Sequence, residues 1–247
     1  MDLYACMEER AIRQAAAVIT TGPGLADQVR ARFADKPVHA IADPPSSLAE
    51  ADDREAALLR TRFAPAPGQR LAASVGSFAV YQGIDLLFAA IPRTVARFAG
   101  ARFLIVGGSP SEIAQRQRAM ESAGVGHAVH FAGCVPPEQL PHWLRAADVL
   151  LSPRAAGVNT PLKILDYMKV GRPIVAADSA ANRLLLDETV ARMTPSRPDA
   201  FAEAIADLMR CDELRARMGI RARAVIEREY SYPIFRERLR QCYASFT

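Results

Sequence analysis

GVNTPLKILDYMKVGRPIVA, residues 157–176, decides the fold of this chain. It reads as loop, helix, turn and buried strand. Thr160 has the side chain of an N-cap and Pro161 suits the first helical position. The helix is predicted to run to about Val170, with Gly171 as its left-handed stop. Ile174, Val175 and Ala176 then form a short apolar strand. A helix start of this kind offers free backbone N–H groups and a positive dipole end, which suit an anion. Asp166 lies one to two turns in, on the face of Leu162 and Lys163. A carboxylate there can hold two neighbouring hydroxyls, such as those of a ribose. The alternative is a capped helix between two strands, with Asp166 paired to Lys163 or Lys169.

Outward from this stretch, apolar strands alternate with helical segments. Strands are predicted at 71–75, 102–106, 129–131, 148–151, 174–176 and 190–194. Helices fall at 84–98, 111–123, 137–147 and 199–210, the first with a kink or break at Pro92. The fold class is α/β: a Rossmann-like parallel six-stranded sheet with helices on both faces. Ligands of such sheets sit at the carboxyl ends of strands, so the loops after Val75, Val106, Phe131 and Leu151 are the places for a site. Ahead of the sheet lie a helix at 3–17, a strand at 18–20, a helix at 23–33, an extended stretch at 38–42 and a helix at 50–62. Two Pro-rich loops, 43–47 and 64–68, punctuate this front segment. The expected organisation is a front unit 1–67, a sheet domain 68–229 and a final helix 230–247.

Of 247 residues, 50% are apolar, enough for a sizeable core. No run approaches the ~18–20 apolar residues of a membrane span. The opening MDLYACMEERAIRQ is interrupted by acids and arginines, unlike a secretory signal. Cys6, Cys134, Cys211 and Cys242 are scattered without a C-x-x-C pair, which fits reduced thiols and a cytoplasmic protein. A net charge of +4 permits nucleotide phosphates or the inner face of a membrane and demands neither. Arginines near the C-terminus alternate with glutamates, as on a solvated helix face rather than a nucleic-acid patch. His39, His127, His130 and His142 form no metal-ligand spacing.

The 157–176 stretch resembles the donor motif of the family-4 glycosyltransferases of the two-domain GT-B fold. That motif has an acid, seven other residues, a Glu, then Ala-Met and a Gly-x-Pro-Val-Val-Ala-like strand. Here Asp166 takes the second acid position, followed by Tyr167, Met168, Gly171, Pro173, Ile174, Val175 and Ala176; Val158 stands in the first. The run is most similar to a subgroup written G-x-N-T-P-L-K. VGSFAVYQGIDLLF (75–88) resembles the family's first loop, with Ser77 and Gln82 where an Arg and a Lys usually neutralise the donor diphosphate. Neither brings charge, and Lys163 is the candidate to compensate; the alternative for Lys163 is a structural pair with Asp166 or Tyr167. Gly107-Gly108 resembles the Val-Gly-x-Gly region. FAGCVPPEQLPHWLRAADVLLSP (131–153) resembles the loop whose backbone, here 133–136, reads the base. Trp143 in that stretch reads as a packing residue. Arg154 either reaches a phosphate or sugar, or lies on the surface.

The resemblance implies a donor site of Gly76, Ser77, Gln82, Gly83, Gly107, Gly133, Val135, Asn159, Thr160, Leu162, Lys163 and Asp166. It leaves the catalytic residues unassigned and implies no metal and no cofactor. The substrate would be a UDP- or GDP-linked sugar, transferred to an acceptor hydroxyl with retention of configuration. RQAAAVITTGPGLADQVRARF (13–33) resembles only the end of the family's acceptor-binding domain, and 230–246 its final helix. The expected partner is therefore a separate acceptor-binding polypeptide, or a second copy through the exposed cleft. The alternative is a non-catalytic nucleotide-sugar-binding or scaffold protein derived from such an enzyme.

Overall fold

The computed structural model describes residues 3–46, 49–157 and 159–245. Helix α1 (Leu3–Gln14) leads to strand β1 (Val18–Thr20), helix α2 (Pro23–Arg32) and strand β2 (Val38–Ala40). β1 and β2 pair in parallel, Val18 opposite Val38 and Thr20 opposite Ala40, so α2 is the crossover of a small βαβ unit. Helix α3 (Asp53–Phe63) follows, with Asp52 accepting the Arg54 and Glu55 backbone N–H groups as its N-cap.

The main sheet contains β3 (Arg70–Val75), β4 (Ala101–Val106), β5 (Val129–Gly133), β6 (Val149–Ser152), β7 (Ile174–Ala177) and β8 (Ala191–Thr194). All its pairings are parallel and the order is β5-β4-β3-β6-β7-β8. The expected six-stranded sheet is therefore present. Its connections include α4 (Ile84–Arg97), α5 (Pro110–Ser122), α6 (Leu140–Ala146), α7 (Leu162–Lys169) and the short α8 (Ala180–Arg183). α9 (Pro198–Arg210), α10 (Asp212–Val225), a π turn (Ile226–Tyr230) and α11 (Tyr232–Ala244) complete the described chain. No described helix is long and apolar enough to cross a membrane.

Alternation along the strands divides the core in two. Ala73, Leu104, Leu150 and Ile174 pack with Phe63 of α3, Leu144 of α6, Ile164 and Leu165 of α7 and Ala222 of α10. Ala72, Phe103, Leu151 and Val175 pack on the opposite face with Leu87 and Ile91 of α4 and Phe201 and Ile205 of α9. Trp143 packs against the first cluster, 5.6 Å from the Phe63 ring, as the packing reading expects.

Two local expectations fail. Of the kink or break expected at Pro92, the break does not occur: α4 runs through it. One i→i−4 hydrogen bond is lost there, but Leu87, Phe88, Ala90 and Ile91 before it and Thr94 after it are buried and hold the helix to the sheet. At the start of α7, the capping position is Pro161 and no side chain caps the helix. Thr160 instead donates its hydroxyl to the Thr21 carbonyl at 3.4 Å. Gly171, at φ 66°, is the left-handed stop the sequence predicts, and its N–H returns to the Met168 carbonyl.

Candidate functional site

The chain leaves β3, builds the sheet outward to β5, and returns to β6 beside β3. The β3/β6 seam is thus the topological switch point, the place for a ligand crevice at the carboxyl ends of the strands, and a small cavity there is lined by Gly76, Gln82, Pro153 and Lys163. The loops here are stepped together by backbone. The Gly76 N–H donates to the Val106 carbonyl at 3.0 Å, and the Gly107 N–H to the Gly133 carbonyl at 2.7 Å. Gly107 has φ 112°, and a Cβ there would lie 2.1 Å from the Gly76 carbonyl oxygen. Gly83 has φ 73°, and a Cβ there would lie 1.9 Å from the Pro153 carbonyl oxygen. Only glycine allows either approach. Gly133 lies at the end of β5, and Val135 packs against the core.

α7 is anchored under this crevice by a fully buried tyrosine. The Tyr167 hydroxyl accepts the Val75 N–H at 2.9 Å and donates to the Leu151 carbonyl at 3.3 Å, joining the ends of β3 and β6. Burial pushes its pKa far above the ordinary range. Asn182, also fully buried, ties the next loop down. Its amide donates to the carbonyls of Ser152 at 3.3 Å, Arg154 at 3.1 Å and Ala177 at 2.7 Å. Sequence reading assigned neither role. A lone Asn after an apolar strand, with three donor–acceptor needs to meet in the core, was the available signal for the second.

Lys163, in the first turn of α7, donates to the Gln82 side-chain carbonyl at 3.1 Å. Its Nζ is 3.7 Å from where a Gly76 Cβ would sit. The partner is neither Asp166 nor Tyr167, as a purely structural pairing would have it. Burial, and then the nearby Arg154 charge, push the Lys163 pKa down to about 8. Arg154 is only 4% exposed, so it is not a surface arginine. It donates to the Ala156 carbonyl at 2.8 Å and the Asn159 side-chain oxygen at 2.6 Å, and lies 5.6 Å from the Tyr81 ring centroid.

The structure thus brings Gly76, Gln82, Gly83 and Lys163 together at the seam, with Asn159 joined to them through Arg154. Gly107 and Gly133 lie on the adjoining strand ends. Ser77 is exposed at the mouth and Leu162 faces solvent. Thr160 turns towards the front segment. Val158, the position of the motif's first acid, lies outside the described residues. Asp166, one turn beyond Lys163, is 7% exposed. Its Oδ1 accepts the Ser46 backbone N–H at 2.8 Å and its Oδ2 accepts the Ser46 hydroxyl. Among the described residues, no three His, Cys, Asp or Glu side chains cluster as a metal site would require.

Comparison with known proteins agrees with this architecture. Residues 69–211, more than half of the chain, match the family described as glycosyl transferases group 1. A phosphatidyl-myo-inositol mannosyltransferase of Mycolicibacterium smegmatis is 31% identical over 165 residues, covering 66% of this chain and 41% of that protein. An alpha-D-kanosaminyltransferase of Streptomyces kanamyceticus is 27% identical over 230 residues, covering 91% and 59%. The chain therefore spans less than two thirds of these relatives. Among solved structures, Anabaena HepE in complex with UDP superposes with a TM-score of 0.81 at 17% identity, over 96% of this chain and 66% of that one. Its fold is the GT-B glycosyltransferase fold. Sheet order, the glycine-lined seam and the matched sequence coincide: this chain belongs to the group 1 glycosyl transferases.

Proposed function

We propose that this chain binds the donor of a glycosyl transfer, a nucleoside diphosphate sugar, in the β3/β6 crevice. The observation that carries this reading is Lys163. A partly buried ammonium held by a neutral amide, at a seam of glycine backbone and beside a second cation, calls for an anion. A diphosphate supplies it. Lys163 and the N-terminal N–H groups of α7 would neutralise the charge that develops as the anomeric C–O bond breaks and the diphosphate leaves. That assignment gives the charge-balancing role to the chain's own groups, with no metal. Asp166 would accept the two ribose hydroxyls, and the backbone of 133–136 would read the base. The sugar passes to an acceptor hydroxyl with retention of configuration.

The names of the relatives, mannosyl- and kanosaminyltransferases, support sugar transfer, and the UDP in the Anabaena structure supports a nucleotide donor. On this reading 68–229 is the donor-binding unit, and acceptor contacts come from another polypeptide or from a second copy. Titration of UDP, GDP and their sugars by calorimetry tests the reading. Binding of either nucleotide supports it; no heat at millimolar ligand overturns it. Product formation from a bound donor then separates a transferase from a protein that only binds.

A further inference from the structure

Resting on the donor-site reading, we infer that Ser46 and the ribose diol of the donor compete for the two carboxylate oxygens of Asp166, which makes Ser46 a specificity-determining residue of the site. Two donors from one residue, the backbone N–H and the hydroxyl, reach one oxygen each of a single carboxylate. This is the pattern that a vicinal cis-diol presents to a carboxylate. Ser46 therefore occupies the position that the Asp166 assignment gives to ribose. It comes from the far side of the chain, at the end of the Asp43-Pro44-Pro45 stretch, and is itself exposed. Ala49 and Glu50 are held to the same helix, three residues on from Asp166. Lys169 donates to the Ala49 carbonyl at 2.8 Å and pairs with Glu50 at 3.3 Å. Thr160 touches the front segment at the other end of α7.

A ligand with the diol thus binds only as Ser46 gives up the carboxylate, and a ligand without the diol leaves Ser46 in place. Affinity for a ribonucleotide is reduced by the fraction of molecules in which Ser46 holds Asp166.

The test compares Ser46→Ala with wild type by calorimetry, using UDP and GDP against their 2′,3′-dideoxy analogues. The substitution removes one competing hydrogen bond from an exposed position and leaves the fold intact. The expected result is ribonucleotide binding at least threefold tighter in the variant, with dideoxy binding unchanged. Hydrogen exchange should show the Ser46 amide protected in the free protein and exposed at saturating ribonucleotide. Weaker ribonucleotide binding by Ser46→Ala would mean that Ser46 holds Asp166 ready for the ligand, and overturns the inference. So do equal gains for both ligand classes, or an amide whose protection the ligand does not change. Binding without any difference between the proteins sinks this inference alone. No binding by either protein sinks the donor-site reading with it.

Discussion

The Lys163 ammonium donates to the Gln82 side-chain carbonyl across 3.1 Å, joining the first turn of α7 to the turn that precedes α4. One cation on the helix stands beside the loop position that the family resemblance reserves for a lysine. Replacing Lys163 by Met keeps the stem and removes the charge. Nucleoside diphosphate affinity is expected to fall tenfold or more, about 1.4 kcal/mol, measured by calorimetry at pH 7.

The depressed Lys163 pKa gives a pH dependence of known sign. The ammonium is charged below about pH 8 in the empty protein and neutral above it. Nucleotide binding is expected to weaken as pH rises through this range, and binding at pH 8 to take up protons, visible as a buffer-dependent heat. Stability moves the other way. Between about pH 8 and the ordinary lysine value, the unfolded chain binds more protons at this site than the folded one, so stability gains with pH. Below pH 8 the cost of the buried charge is fully present. Lys163→Met is expected to be more stable than wild type at pH 7, by about 1–3 kcal/mol at a cost of about 1.4 kcal/mol per tenfold change in proton affinity. The difference should shrink towards pH 10 in urea melts.

Arg154 adds to this depression through its charge, second to burial. In Arg154→Gln the pH midpoint for nucleotide binding is expected to move upward. An unchanged midpoint would show that the guanidinium does not act on Lys163.

Tyr167→Phe removes the acceptor of the Val75 N–H at the end of β3. A buried donor is left without its partner, at a cost of about 1–3 kcal/mol. Thermal or urea unfolding reads this directly, and a loss below about 0.5 kcal/mol would contradict the anchoring role.

Gly83→Ala places a methyl 1.9 Å from the Pro153 carbonyl oxygen, at a φ of 73° that alanine resists. Both loops at the seam must shift. The expected result is a stability loss of more than about 1 kcal/mol together with loss of nucleotide binding, measured by melting and calorimetry on the same sample.

Much of the fold can be read from the sequence because its signals are local. Ile174–Ala177 is an apolar run behind Gly171 and Pro173, and it is a buried strand. Gly171 stops α7 because the left-handed turn needs a residue without a Cβ. The glycine loops of the site are legible for the same reason. Thr160 deceives because an N-cap oxygen must face the N–H groups of its own helix, whereas this hydroxyl turns to donate to the Thr21 carbonyl, 139 residues away. The Ser46 contact with Asp166 spans 120 residues, beyond any spacing rule. Lys163 is legible as a cation near a helix start, but its pairing with Gln82 depends on two crossovers meeting at the seam. Pro92 misleads because burial on both sides of it outweighs one missing hydrogen bond.

The seam has a mechanical side. β3 and β4 are paired at six positions, whereas β3 and β6 are paired at two. The sheet is therefore two wings, each contiguous in sequence, that meet along its thinnest ladder. Lys163 and Tyr167 reach across that ladder from one wing to the other. A ligand held at both sides would act as a removable rivet across that ladder.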